Sequence, residues 1–217
     1  MTTINNNAGK LFTARFWVLV ALSLISCLLF LWLAWEVIAE KGEWLDTLGW
    51  NYVQGWTSPL HTRMALLATF GGTNFFTISV YLAILFYLFK KNYKREAIHV
   101  FVIAAGSILL GWVLKLIFQR QRPTLEHLQL AIGYSFPSGH TLGAFTLCGV
   151  LVYMTLKTEW SLIAKLVAVL LLLLYACLVG LSRIYLHVHF TSDVIASMLV
   201  ALWWLTLSLI CIKLIHK

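Results

Sequence analysis

Apolar residues gather along this chain into six runs, at roughly 16–39, 64–89, 97–118, 141–157, 161–181 and 193–212, with short polar connections between them. Each run is long enough to cross a bilayer, for which about 20 helical residues are needed. Hydrocarbon offers a bare backbone no hydrogen bonds, so the runs predict α-helices. The pattern as a whole predicts an all-α integral membrane protein, a six-transmembrane-helix bundle forming a single domain over residues 1–217. The first run follows a polar stretch of 15 residues, is too long for a signal-peptide core and has no small-residue cleavage site behind it. It reads as a retained membrane helix.

Two interruptions refine the pattern. Gly71-Gly72-Thr73-Asn74 breaks the second run, and Gly106 and Gly111 dot the third; close helix packing accounts for both. The connection at 40–63 carries Trp44, Trp50 and Trp56 and predicts an amphipathic stretch along the outer interface, with Trp anchored at head-group level.

Composition agrees with a bilayer setting, since 61% of the 217 residues are hydrophobic and 11% are charged, which excludes an ordinary soluble domain. Cys27, Cys148, Cys177 and Cys211 all fall within predicted spans without paired spacing, so they predict packing and no disulfide framework. The net charge of +8 is explained by topology. One set of helix ends holds ten cations: Lys10, Arg15, Lys90, Lys91, Lys94, Arg95, Lys157, Lys165, Lys213 and Lys217. The opposite set holds six: Lys41, Arg63, Lys115, Arg120, Arg122 and Arg183. Positive residues are retained on the cytoplasmic side, so both termini are predicted cytoplasmic and no nucleic-acid surface is implied.

Candidate chemistry concentrates on the outward side. Lys115 and Arg183 sit at or within the ends of apolar runs and Arg122 directly precedes Pro123; basic residues at such depth need an anionic partner or a route to water. The connections at 119–140 and 182–192 bring Lys115, Arg122, Ser138, His140, Arg183, His189 and Asp193 to one membrane face. Fixed cations and donors aimed at phosphoryl oxygens are what phosphate transfer requires. Pro137-Ser138-Gly139 before a helix adds backbone N–H groups where anions are favoured, and Gly139 leaves room for an oxygen to approach. His189 and Asp193, four residues apart, share a helical face if the last helix starts here. The carboxylate then holds one imidazole nitrogen protonated and leaves the other as nucleophile, while His140 protonates the leaving oxygen.

These residues stand in three motifs: Lys115 through Arg122-Pro123 (115–123), Pro137-Ser138-Gly139-His140 (137–140), and Ser182-Arg183 through His189 and Asp193 (182–193). In order and spacing they resemble the signature of the type 2 phosphatidic acid phosphatase family, integral-membrane lipid phosphate phosphatases related to vanadium haloperoxidases. The resemblance implies a metal-independent phosphatase with a phosphohistidine on His189, oriented by Asp193, and His140 as general acid. Lys115, Arg122, Ser138, Gly139 and Arg183 would hold the phosphate. Family members often have Gly where this chain has His187 and Pro where it has Thr191.

Two other readings compete. A zinc site from His140, His187, His189 and Asp193 uses acceptable ligands, but three nearby cations would repel the metal, so no metal and no cofactor is expected. A polytopic transporter of an anionic lipid or small anion is the alternative from another class, although no inverted repeat or matched pair of interrupted helices is visible. The favoured expectation is a phosphate pocket at the outer leaflet, built from the third, fourth and sixth predicted helices and their loops. Its partners are the bilayer and a lipid phosphate. The short chain and the lack of Asn-X-Ser/Thr sequons point to a bacterial cytoplasmic membrane with the site facing the periplasm or exterior. For such a member the family's usual substrates are undecaprenyl pyrophosphate, which is favoured, phosphatidylglycerol phosphate and phosphatidic acid.

Overall fold

The computed structural model describes residues 13–39 and 43–215. Its elements are α1 (Ala14–Ile38), α2 (Glu43–Gln54), α3 (Pro59–Phe70), α4 (Asn74–Lys90), α5 (Lys94–Phe118), α6 (Gly139–Leu156), α7 (Leu162–Tyr185) and α8 (Thr191–Ile215), and the described residues contain no strand. Helices α1, α5, α6, α7 and α8 are each long and apolar enough to cross a membrane. The pair α3 and α4, bent by 42° at its break, passes the same test when the two are taken together, which gives five to six candidate spans. Their outward faces confirm the medium: Leu162, Leu166, Leu170 and Leu174 form an exposed stripe along α7, a pattern no water-facing helix sustains.

Polar residues punctuate these spans. Ser58, Thr73, Ser138 and Ser161 each cap the helix that follows by accepting a backbone N–H three residues on, which satisfies donors that a helix start otherwise leaves bare. At the break, Thr73 Oγ1 accepts from the Phe76 N–H at 3.2 Å and donates to the Phe70 carbonyl at 2.7 Å. The hydroxyl therefore joins the two half-helices across the bend.

Helix α6 is central, touching α4, α5, α7 and α8, and α1 pairs extensively with α8. Small residues permit this closeness. Gly149 of α6 faces Leu205 of α8, where an added Cβ would lie 2.2 Å from Leu205 Cδ1. Thr146, Ser197 and Thr206 each donate to a carbonyl of their own preceding turn, Thr146 to that of Leu142 at 2.8 Å, so these hydroxyls sit in an apolar interior with their donors satisfied. The glycines expected to mediate packing do so: Gly106 lies under the Trp204 ring and Gly111 against Leu142. Helix α2 occupies the Trp-rich connection, exposing Trp44, Leu48 and Tyr52 and burying Asp46 and Val53.

Candidate active site

The connection 119–138, the tight turn 186–190 and helix α2 converge at one end of the bundle, where the Leu128 N–H donates to the Leu186 carbonyl and Arg120 bonds Asp46. Helix α8 begins at Thr191, so His189 precedes it. The pairing of His189 with Asp193 is therefore made differently from the shared helical face that their spacing suggests. Asp193, in the first turn, reaches back over the helix start: its Oδ2 accepts from the Phe190 N–H at 2.9 Å and from His189 Nδ1–H at 3.2 Å. A carboxylate there is also favoured by the helix dipole.

The imidazole's other nitrogen, Nε2, lies 3.3 Å from Arg122 Nη1. A guanidinium can only donate, so Nε2 accepts, and the ring proton resides on Nδ1. Burial pulls His189 from its ordinary 6.5 down to about 4, against the upward pull of Asp193. The ring is thus neutral near pH 7, with a lone pair on Nε2 facing a cation.

Three cations, Arg122 among them, gather around this lone pair. Arg122 is held by the carbonyls of Val188 (2.7 Å), Gly133 (2.9 Å) and Ile132 (3.0 Å). Lys115, in the last turn of α5, donates through Nζ to the carbonyls of Tyr134 at 2.5 Å and Ser135 at 3.4 Å instead of snorkelling to water. Arg183, buried at the end of α7, bonds Thr69 Oγ1 and, at 2.6 Å, Gln129 Oε1. Its Nε is buried and has no hydrogen-bond partner among the described residues.

The Pro-Ser-Gly-His segment starts α6. Ser138 caps the helix, its Oγ accepting from Thr141 Oγ1 at 2.9 Å, and its hydroxyl proton is not used in that bond. The Ser138 N–H donates to the Asp193 carbonyl at 3.2 Å and the Ser138 carbonyl accepts from Ser197 Oγ at 2.9 Å, which ties the start of α6 to α8. Gly139 is exposed, with the Lys115 stem bordering it. His140 packs on the α3–α4 break: a Cβ on Gly72 would lie 2.9 Å from both His140 Cβ and its carbonyl oxygen. Gly72 therefore does more than pack helices, since it seats the candidate acid.

All eight residues singled out from the motifs come to this end of the bundle. Several partners were not read from the sequence. Arg120 donates to Asp193 Oδ1 at 2.7 Å, to Ser192 Oγ at 2.7 Å and to Asp46 Oδ2 at 2.7 Å, with its guanidinium 3.8 Å from the Phe190 ring centroid. Asp46 in turn accepts from the Ser192 N–H at 2.9 Å and from Ser192 Oγ at 3.1 Å. Thr69 and Gln129 on Arg183 were likewise unforeseen, and α7 joins the helices expected to build the pocket. His187 takes a left-handed conformation, φ +59°, and its Nδ1–H donates to the Glu126 carbonyl at 2.9 Å. Glycine adopts that conformation without strain, which accounts for the family's frequent Gly there. Among the described residues no group of three or more His, Cys, Asp and Glu is gathered as for a metal ion.

With this geometry in place, comparison with known proteins is direct: the sequence model of the PAP2 superfamily matches residues 96–217. The chain belongs to the PAP2 superfamily. That PAP2 region contains every motif residue from Lys115 to Asp193, whereas Asp46, Thr69 and Gly72 lie before it. The chain is 32% identical over 110 residues to phosphatidylglycerophosphatase B of Bacillus subtilis, covering 50% of this chain and 53% of that protein. It is 25% identical over 114 residues to the undecaprenyl-diphosphatase BcrC of the same organism, covering 50% and 54%. The matched segment thus spans about half the length of these curated relatives. A crystal structure of a transmembrane PAP2-type phosphatidylglycerolphosphate phosphatase from Bacillus subtilis superposes with a TM-score of 0.79 at 25% identity, covering 86% of this chain and 93% of that one.

Proposed function

We propose that this PAP2 protein is a metal-independent lipid phosphatase, with residues 1–217 acting as one membrane-embedded unit. The observation that carries the reading is His189, fixed by Asp193 at Nδ1 and presenting Nε2 to Arg122. The Nε2 lone pair attacks phosphorus, forming a P–N bond as the bond to the leaving oxygen breaks. His140 gives that oxygen its proton. Nδ1–H stays on Asp193, whose charge stabilises the developing imidazolium. Arg122, Arg183, Lys115, the Ser138 hydroxyl and the Gly139 N–H hold the phosphoryl oxygens. Water then attacks the phosphohistidine, delivering its proton to His140; the P–N bond breaks and phosphate leaves.

The relatives' names and the family resemblance support three substrates: undecaprenyl pyrophosphate, which we favour, phosphatidylglycerol phosphate and phosphatidic acid. An outward-facing site on a bacterial cytoplasmic membrane, with both termini inside, is supported by the cations. Arg15, Lys90, Lys91, Lys94, Arg95, Lys157, Lys165 and Lys213 lie at the end opposite the site. Lys115, Arg120, Arg122 and Arg183 at the site end are engaged in its own bonds, which leaves Arg63 among the described cations on that side to set against eight at the other. Lys10, Lys41 and Lys217 lie outside the described residues.

The test is phosphate release from the three lipids by the detergent-solubilised protein in EDTA, beside His189→Ala. Release that withstands EDTA, stops with vanadate and vanishes in the variant is expected. Loss in chelator restored by zinc would overturn the metal-free mechanism.

A further inference from the structure

The segment 128–132 alternates between two destinations. Leu128 and Ala131 turn inward onto an apolar cluster that includes Val53, Tyr185 and Leu186, where Trp50 of α2 also packs. Between them Gln129 places Oε1 on Arg183 at 2.6 Å. Leu130 and Ile132 point away, 87% and 84% exposed, the two most exposed large apolar side chains among the described residues. Neither lies on a spanning helix, so contact with lipid along a span does not explain them. Nor are they free to withdraw. The Leu128 N–H is bonded to the Leu186 carbonyl, and the carbonyls of Ile132 and Gly133 are bonded to Arg122.

Two features say what covers these side chains. Their inward neighbours share a cluster with α2, whose Trp44 and Leu48, like Trp56 in the turn that follows it, are exposed at the same end of the bundle, as suits a helix lying in a membrane interface. The residue between them caps a buried arginine whose Nε still lacks a partner among the described residues, so an anion can take up donors that one amide oxygen leaves unsatisfied. A molecule with a phosphate and, a few bonds away, a hydrocarbon chain meets both features at once. We propose that Leu130 and Ile132 form an apolar subsite for the head-proximal part of a lipid phosphate's chain, and that Gln129 is the group a phosphate oxygen displaces from Arg183. This deepens the phosphatase reading and rests on it. The subsite gives selectivity for phosphates carrying a chain over soluble ones, and it ties chain docking to the release of Arg183.

The experiment compares the full-length wild type with Leu130→Ser/Ile132→Ser on two substrates, long-chain phosphatidic acid in mixed micelles and water-soluble p-nitrophenyl phosphate. Both side chains are exposed, so folding is retained. The expected result is a rise of about tenfold in KM for the lipid, from two lost aliphatic contacts, with kcat and soluble-substrate turnover unchanged. Gln129→Ala is expected to lower KM several-fold for both substrates, because Arg183 loses its competing acceptor. An unchanged lipid KM in the double variant, or an equal loss on both substrates, overturns the subsite while leaving the phosphatase reading intact. Wild type that cleaves neither substrate overturns the phosphatase reading instead. A benzophenone side chain in place of Leu130, irradiated in proteoliposomes, is expected to yield a phospholipid adduct by mass spectrometry irrespective of turnover; its absence overturns the subsite.

Discussion

Asp46→Asn isolates the link by which helix α2 reaches the candidate nucleophile, through Arg120 and Asp193. Asp46 touches none of the eight candidate site residues; it accepts from Arg120 at 2.7 Å and from Ser192 at 2.9 Å and 3.1 Å, and Arg120 in turn donates to Asp193 at 2.7 Å. Asparagine keeps one oxygen for the Ser192 N–H but turns an NH2 group toward the guanidinium. A hydrogen bond to a charged group contributes about 1.5–3 kcal/mol, and the Arg120 side chain is 20% exposed, so the lower half of that range applies. A loss of about 2 kcal/mol felt in the transition state lowers the rate about 30-fold. It should fall on kcat with KM little changed, because Asp46 does not face the phosphate. The assay is steady-state phosphate release for wild type, Asp46→Asn, Arg120→Gln and the double variant, with thermal unfolding of each. If Asp46 acts through Arg120, its substitution costs little in the Arg120→Gln background, and the coupling is about 2 kcal/mol. An equal cost in both backgrounds, or a kcat within twofold of wild type, would refute the positioning role.

Three other outcomes follow from contacts at and away from the site. Gly72→Ala puts a Cβ 2.6 Å from Val179 Cγ1 and 2.9 Å from His140, and should cost about 1–3 kcal/mol of stability together with activity. Gly106→Ala, which meets Trp204 Cζ2 at 2.1 Å, should cost comparable stability but little kcat per folded molecule; equal kcat losses in the two would count against Gly72 seating His140. Arg183→Lys keeps the charge but loses the planar guanidinium, whose Nη1 donates to both Thr69 and Gln129 and whose Nε is left open for a phosphate oxygen, so KM should rise about tenfold or more, as read from initial rates. His189 sits at about 4 in the folded protein against an ordinary 6.5, so the unfolded chain binds more protons in between. Stability from this group is complete above about pH 6.5 and falls as pH drops toward 4, by about 3 kcal/mol in all. Thermal midpoints across that range should flatten in His189→Gln.

The spans were legible because lipid imposes one solution on the backbone, so length and apolarity alone identify a helix. The break at Gly71-Gly72-Thr73 was visible as composition, but its consequence was not. The 42° bend depends on how α3 leans on α7 and α4 on α5, and such contacts leave no local trace. The motif residues were legible for a related reason: Lys, Arg, His and Asp are costly beside hydrocarbon, so their occurrence at the ends of apolar runs required an explanation. The mode of the His189–Asp193 contact was less so. A spacing of four suggests one helical face, whereas the carboxylate bends back across a helix start at Thr191.

Arg120 and Asp46 escaped notice because each has an innocuous local reading. Arg120 lies two residues before Arg122 in a basic stretch, where a second cation reads as redundancy, and Asp46 is 74 residues away in a helix taken as an interfacial anchor. Even so, the periodicity of that helix held a clue. Asp46, Trp50 and Val53 fall at i, i+4 and i+7, the stripe that an amphipathic helix turns inward, and Asp46 and Val53 are buried while Trp44 and Leu48 are exposed. A carboxylate on the inward stripe is expensive without a cation to meet it. Of the cations on that side without an assigned role, Arg120 is carried toward the bundle by the same turn that delivers Arg122, since Gln119 ends α5 in a left-handed conformation. The pairing was thus recoverable from helix phase and charge balance, and it implies that the placement of α2 against the bundle and the orientation of Asp193 are set together.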